Sequence, residues 1–406
     1  MKPLLIILLL VSIQTNAQQN LGIGTKTPDS SAAVDIKSTT QGLLIPRMNH
    51  TQRATISKPA QGLMVYQTDS DTGFYFYKGA AWANISKGSS GSSNYVGKTI
   101  LIITDTISNA AAQAQIAAEF GPQTQEIRII GCSKLTSIDL SVISTIAGIT
   151  ILNNPVLQTV NLSNMTLCDG DFTINKCFLL SDLNLSSLQT IIASTDNKGT
   201  DIENTALINL QFPALKKING PFYINRNQTL LVVNFPVLQI ACINQYSFGF
   251  FGNNVLESIK APLLTNCGQF SIQSSNHLAI VSFPILTAVG SLNFGYNDSI
   301  QSVSFPSLTS INDSSLYVQS SINSNPFLTN ISLGILTNFK NTSFNFSGNK
   351  LPSSQVNYLL GKLVSITPAL TGKSFSLTQN PSAPPTGQGI SDKATLIANG
   401  NTVSTN

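Results

Sequence analysis

One short motif recurs nine times along this chain, and its spacing is the strongest constraint on the fold. Each copy is centred on an apolar anchor residue, and successive anchors lie 22 to 28 residues apart. A repeat of this period is typical of a solenoid, in which each turn buries its apolar side against the neighbouring turns. The anchors are Leu140, Leu162, Leu185, Phe212, Phe235, Ala261, Phe283, Phe305 and Leu333. We therefore predict a mainly β fold, a parallel β-helix-like solenoid of about nine turns.

The apolar positions keep the same phase from turn to turn. Two apolar residues separated by one position lie 11 and 13 residues before most anchors, as in Phe222 and Ile224. Such period-two spacing indicates a short strand with one buried face. Proline follows several anchors, as in Phe212-Pro213, and it ends a straight segment because it fixes φ and has no N–H.

A second position of the repeat is polar. Eight residues before each anchor the chain has a small polar residue or a cysteine. These residues are Cys132, Asn154, Cys177, Asn204, Asn227, Asn253, Ser275, Asn297 and Asn325. A buried amide at a fixed corner can hydrogen-bond the backbone groups that the corner leaves unpaired. We therefore predict that these residues form a structural corner ladder.

The five cysteines follow the repeat. Cys132 and Cys177 fall on the corner ladder, Cys168 and Cys267 take a position that is Ile or Val in several other turns, and Cys242 lies one residue beyond it. We expect buried thiols that act as small apolar side chains. The alternative is a bridge between Cys242 and Cys267, because strands of adjacent turns lie about 4.8 Å apart and disulfides tolerate such a separation.

Five segments follow from composition and pattern. Residues 1–17 combine Lys2, an apolar run and a small-residue cleavage site, which predicts a secretory signal peptide. The remaining segments are an N-terminal head (18–86), a Gly/Ser linker (87–97), the solenoid with a strand and helix as its N-terminal cap (98–350) and a C-terminal cap (351–406). In the head, the runs 62–66 and 74–77 predict a hairpin.

Helices are expected at both ends of the solenoid. Capping and spacing signals predict one helix from Ser108 to Phe120, another after Ser353-Ser354 and a short one from Ser391 to Asn399. The end turns of a solenoid expose strand edges and apolar surface, so elements that cover them are physically required.

The composition offers little for catalysis or for nucleic-acid binding. Charged residues make up 10% of the chain and the net charge is +4, without a Lys/Arg cluster, so we expect no nucleic-acid partner. His50 and His277 lie far apart and belong to no metal-binding motif, so we expect no metal and no cofactor. After the signal peptide no apolar run is long enough to span a membrane. We therefore expect a protein that is not an enzyme.

Two parts of the sequence resemble known families. The repeats, for example residues 212–225, resemble the receptor L-domain and related leucine-rich-repeat surface proteins, which are solenoids with binding or wall-associated roles. The head, through residues 22–25, 42–48 and 62–66, resembles the N-terminal segment of bacterial surface proteins related to phage tail fibres. These resemblances imply an extracellular or outer-surface location on a Gram-negative bacterium and a homo-oligomer formed through the head.

The leading functional hypothesis is a secreted or cell-surface module that binds a glycan or protein ligand. Exposed aromatic and arginine side chains concentrate binding energy, so Tyr223, Arg226, Phe251 and Tyr317 are the candidate binding residues on a face of small polar ones. The alternative is a structural fibre or spacer of a surface assembly. A glycan-active β-helix enzyme is a remote alternative. A glycosidase needs two carboxylates, whereas Asp171 is the only acidic residue that we expect near the outward face.

Overall fold

The computed structural model describes residues 20–69, 72–85, 97–192, 199–243, 246–312 and 318–406. The predicted signal peptide and nearly all of the predicted linker lie outside the described residues. The chain divides into two compact units, Met1–Asn94 and Tyr95–Asn406. The division falls inside the Gly/Ser segment.

The described residues of the head form two small sheets and one short helix. The first sheet pairs Leu21–Ile23 with Val34–Ile36 in parallel. In the second, Arg47–Met48 runs parallel to Met64–Gln67, and Met64–Gln67, Gly73–Tyr77 and Trp82–Asn84 are antiparallel neighbours. The antiparallel pair Met64–Gln67 and Gly73–Tyr77 confirms the predicted hairpin. The helix His50–Ala54 begins with a capping box formed by Asn49 and Gln52.

The described residues between 97 and 406 form a mainly β parallel solenoid. Each regular turn has a three-residue strand, a two-residue strand and a longer strand. The longer strands are Ile100–Thr104, Glu126–Ile130, Gly148–Leu152, Phe172–Cys177, Thr200–Thr205, Phe222–Asn225, Ser247–Phe251, Asn266–Gln273, Ala288–Gly295 and Gln319–Asn323, and the shorter strands Ser343–Asn345, Ser374–Ser376 and Thr402–Ser404 continue the same sheet. Consecutive members pair in parallel and in register, as Ile149 with Phe172 and Ile151 with Ile174, so the predicted buried pairs stack on one another.

The two shorter sets of strands complete each turn. The two-residue strands are Thr145–Ile146, Leu167–Cys168, Thr190–Ile191, Lys217–Ile218, Ile240–Ala241, Ser310–Ile311 and Asn338–Phe339, whereas in two turns this segment is fused with the longer strand. The three-residue strands are Ser137–Asp139, Thr159–Asn161, Asp182–Asn184, Asn209–Gln211, Val232–Asn234, Ser258–Lys260, Ile280–Ser282, Ser302–Ser304 and Asn330–Ser332. The anchor residues follow these last strands and point into a continuous apolar core.

The solenoid has about twelve turns, so the predicted number of nine is too low. The first extra strand is Ile100–Thr104, which pairs with Glu126–Ile130. At the other end Ser374–Ser376 and Thr402–Ser404 extend the sheet beyond Ser343–Asn345. These end turns lack the repeated motif because a helix takes the place of the strand and anchor that define it.

Helices cover the exposed edges of the three-residue strands at both ends. The helix Asn109–Glu119 has Ser108 as its N-cap, and its Asn109 side chain accepts hydrogen bonds from the backbone N–H groups of Thr136 and Ser137. At the other end the helix Ser353–Val364 places Gln355 Oε1 3.2 Å from the N–H of Ile331. A second helix, Gln388–Ala398, packs on it. Side chains of the helices thus satisfy backbone donors that the sheet edge would leave free.

Buried amides run along one corner of the stack. Each amide oxygen accepts a hydrogen bond from the backbone N–H of the ladder residue one turn earlier; for example, the N–H of Asn227 donates to Oδ1 of Asn253 at 3.0 Å. The amide nitrogen donates to a carbonyl in the longer strand of that earlier turn, as Nδ2 of Asn253 does to Ile224 at 2.7 Å. The residue before each ladder position is left-handed, with φ between 49° and 71°. Asn154, Asn227, Asn253, Ser275, Asn297, Asn325 and Asn349 are fully buried there with Cys132 and Cys177. Asn349 extends the ladder beyond the predicted set.

The prediction that Asn204 belongs to the corner ladder is wrong. Asn204 occupies the left-handed position, with φ 54°, and is partly exposed. The ladder residue of this turn is Thr205, whose N–H and hydroxyl both donate to Asn227 Oδ1, at 3.0 and 2.7 Å. Thr205 lies seven rather than eight residues before Phe212, so the turn is one residue shorter there and the counted phase slips.

All five cysteines are buried and free. Burial is the main cause that raises the pKa of each thiol, to about 11 for Cys132 and about 12 for Cys168. The alternative bridge between Cys242 and Cys267 is not formed. Of the helices in the described ranges, none combines the length and apolarity that crossing a membrane requires.

Candidate functional site

The outward face of the longer strands carries three of the four predicted binding residues. Tyr223 and Phe251 lie on adjacent strands with ring centroids 6.0 Å apart and planes inclined by 39°. Arg226 directly follows the strand of Tyr223, and its N–H donates to the carbonyl of Phe251 at 2.8 Å. Tyr317, the fourth residue, lies outside the described residues. The structure therefore brings Tyr223, Arg226 and Phe251 into one area.

A glycine allows the two aromatic rings to lie close to the sheet. Gly249 is the strand neighbour of Tyr223 and lies two residues before Phe251. A Cβ atom at position 249 would overlap the ring of Phe251 and would lie 2.9 Å from Cδ1 of Tyr223. The rings thus occupy the space above the glycine backbone, and both remain partly accessible to solvent.

Two carboxylates stand beside these rings, and the sequence reasoning missed them. Asp201 and Glu203 lie on the outward side of the strand Thr200–Thr205, since Ile202 between them points into the core. The register places Asp201 next to Tyr223. The expectation that Asp171 alone would lie near this face is therefore wrong. The cause is the same one-residue slip that misplaced the corner ladder in this turn.

Amide and guanidinium groups hold both carboxylates in position. Nη1 of Arg226 lies 2.7 Å from Oε1 of Glu203, and Nδ2 of Asn175 donates to Oε2 of Glu203 at 2.8 Å. Nδ2 of Asn225 donates to Oδ1 of Asp201 at 3.0 Å. Each carboxylate keeps further acceptor sites, because two oxygens offer about four lone-pair directions.

The ionised form of Asp201 is unfavourable to the folded protein. The pKa of Asp201 is raised to about 6, first by burial and then by the charge of Glu203, while Asn225 and Arg226 oppose the rise. One pKa unit corresponds to about 1.4 kcal/mol, and solvent screening at this partly accessible site reduces the resulting cost of ionised Asp201 to about 1–2 kcal/mol. Glu203 is charge-paired with Arg226, so the two carboxylates differ in environment although they share a strand.

A shallow depression adjoins the rings. It has a volume of about 380 Å³ and is lined by Asn225, Arg226, Phe251, Gly252, Gln273 and Ser274. The groups around it are donors, acceptors and one ring edge. Throughout the described ranges, no group of three His, Cys, Asp or Glu side chains is placed to hold a metal ion.

The head has a different character, because its apolar side chains are largely exposed. Among its described residues, Val65 and Tyr75 are the buried apolar side chains. The interior is completed by Arg53, whose guanidinium carbon lies 4.0 Å from the ring centroid of Tyr75 and whose Nε donates to Gln67 at 2.8 Å. An interior of this size contributes little hydrophobic stabilisation.

Many large apolar residues in the described part of the head face solvent. They are Leu21, Ile23, Val34, Ile36, Leu43, Leu44, Leu63, Met64, Phe74 and Ile85. The most exposed is Leu44, at 76% of its full surface. Leu43, Leu44, Ile45, Arg47, Tyr66 and Phe74 line a groove of about 260 Å³. Exposed apolar surface of this extent is unusual for a monomeric soluble domain and is typical of interaction surfaces.

Comparison with known proteins finds a similarity in the head. Residues 22–98 match the family model described as the phage tail like trimerisation region. No curated protein and no solved structure matches the chain. The match supports a homo-oligomer formed through the head, and it agrees with the resemblance of residues 22–66 to phage-tail-fibre-related proteins.

Proposed function

We propose that this protein is a structural, fibre-like component that assembles as a homotrimer through its head, with each copy contributing one solenoid. The observation that carries the proposal is the exposed apolar surface of the head, in the region that matches a trimerisation family. Burying one large apolar side chain contributes about 1.5–3 kcal/mol. Three copies that bury several such residues each would supply the hydrophobic core that one head lacks.

The test compares the mass of the assembled protein with that of the 43.3 kDa chain. Light scattering coupled to size-exclusion chromatography should give about three times the mass of one chain. The double variant Leu43→Ser/Leu44→Ser should dissociate at concentrations where the parent stays trimeric. The matched control Ile280→Ser/Ile335→Ser changes two exposed isoleucines of the solenoid, each 64% exposed, and should remain a trimer.

A monomeric parent protein at micromolar concentration would refute this function. A double head variant that stays as trimeric as the control would move the interface away from Leu43 and Leu44 and would contradict the role of the groove. Circular dichroism of both variants would verify that the solenoid is folded.

The remaining parts of the proposal follow from the sequence. Residues 1–17, outside the described residues, would direct export, and the protein would lie outside the cell or on the outer surface of a Gram-negative bacterium. The resemblance of the repeats to receptor L-domain and leucine-rich-repeat proteins stays a prediction. We propose a non-catalytic role, as the composition and motifs of the sequence predict.

A further inference from the structure

The outward face of the solenoid carries one area whose chemistry differs from its surroundings. We call it the aromatic–acidic patch, formed by Asp201, Glu203, Tyr223, Asn225, Arg226 and Phe251. We propose that this patch binds a neutral carbohydrate, with a pyranose ring stacked on Tyr223 and Phe251 and with its hydroxyl groups bonded to the flanking carboxylate and amide side chains.

The aromatic pair provides the stacking surface. The faces of aromatic rings are electron-rich, and the C–H groups on one face of a pyranose are polarised by the neighbouring oxygens, so the two surfaces attract each other. Gly249 lets both rings stay near the backbone, because any larger side chain there would overlap the ring of Phe251. Rings that belong to the hydrophobic core are buried instead, as are Phe248 and Phe250 on the inward side of the strand Ser247–Phe251.

The polar groups provide the directional contacts. Asp201 is the accessible carboxylate, and hydrogen bonds to a charged acceptor are shorter and stronger than neutral ones, whereas Glu203 is buried and accepts from Asn175 and Arg226. The buried Oδ1 of Asn225 has no hydrogen-bond partner among the described residues, so this oxygen is an acceptor that still lacks a donor. Sugar hydroxyls supply donors of this kind.

The side chains of the patch are fixed before a ligand arrives. Asn225 holds Asp201, while Asn175 and Arg226 hold Glu203 from opposite directions. Asn204, at the left-handed position, donates in turn to Asn175 at 3.2 Å. A preordered site loses less conformational entropy on binding, which favours recognition of a small, rigid sugar ring.

The charge of the patch selects the class of glycan. It holds two carboxyl groups against one arginine, and that arginine is already paired with Glu203. The net negative charge of the patch would therefore repel an anionic polysaccharide, whereas it would not repel a neutral one. The proposal is independent of the trimer, although three copies in one assembly would increase the apparent affinity for a polymeric ligand.

The test is affinity electrophoresis of the full chain through gels that contain one soluble polysaccharide each. The neutral probes are a mixed-linkage β-glucan, a xylan and a galactomannan, and the anionic probe is polygalacturonate. We expect retardation by at least one neutral probe. Tyr223→Ala/Phe251→Ala should weaken it roughly tenfold or more, as for central aromatic contacts, whereas the control Phe327→Ala, at a side chain 55% exposed elsewhere, should not.

Each result decides the proposal. Absence of retardation by all three neutral probes would overturn it, as would equal retardation of the double variant and the parent. Retardation by polygalacturonate alone would also overturn it, because the charge argument would then be wrong. Light scattering on the same samples shows whether the assembly is intact, so a failed trimer and a failed binding site give different results.

Discussion

The corner ladder makes a sharp prediction about a single amide. Asn253 is fully buried; its oxygen accepts the N–H of Asn227, and its nitrogen donates to the carbonyl of Ile224. Asn253→Ala leaves that donor and that acceptor without partners in a dry interior. Each unsatisfied buried group costs about 1–3 kcal/mol, so we expect the free energy of unfolding to fall by about 3–5 kcal/mol.

The neighbouring residue supplies the control. Asn254 is exposed, and its Nδ2 donates to Gln228 at the surface, so Asn254→Ala should change stability by about 0.5 kcal/mol or less. Urea unfolding followed by circular dichroism measures both variants, and hydrogen exchange at the N–H of Asn227 reports the local effect. If the two variants are equally stable, the buried amides of the ladder do not stabilise the solenoid.

Three further outcomes can be measured. Asp201→Asn should raise the free energy of unfolding at pH 8 by about 1–2 kcal/mol and leave it unchanged below pH 4. The pKa of Asp201 is raised from 3.8 to about 6 in the folded protein. The folded protein therefore holds this proton more tightly than the unfolded chain and loses stability as the pH rises between these values. Thiol titration should find five protected thiols that all react after unfolding without reductant; three would show one disulfide. The thermal unfolding of the head, followed by the fluorescence of Trp82, should shift to higher temperature as the protein concentration rises, and a midpoint independent of concentration would contradict assembly through the head.

Much of the solenoid could be predicted because its physics is local. Each turn buries its apolar residues against the next turn, so the period and phase of the anchors define the strands, the core and most of the corner. Ile149, Phe172 and Phe222 are all buried where the phase puts them. The end turns were missed since their helices Ser353–Val364 and Gln388–Ala398 interrupt the motif.

The candidate site was only half predictable for a related reason. Tyr223 and Phe251 belong to turns with regular phase, so their outward position follows from counting. Asp201 and Glu203 belong to the turn that is one residue short before its anchor, and counting back from Phe212 places them wrongly. A shift of one residue exchanges the two faces of a strand, so a single deletion concealed both carboxylates. The sequence signal of the shift is Ile202, an apolar residue between two acidic ones, which indicates that Ile202 faces the core and that Asp201 and Glu203 face outward.

The head and the solenoid solve the problem of burial in different ways. A solenoid turn finds its apolar partner in the next turn of the same chain, and helices such as Asn109–Glu119 close the ends. The head has strands with the same alternating pattern, yet Met64 and Phe74 remain exposed while Val65 and Tyr75 are buried. The alternating pattern predicts that a strand has an apolar face, but it does not predict whether the same chain or another chain covers that face. Because a small domain with so little interior is marginal on its own, we infer that the other copies of the head in the trimer cover this face, so that association and folding of the head are one process.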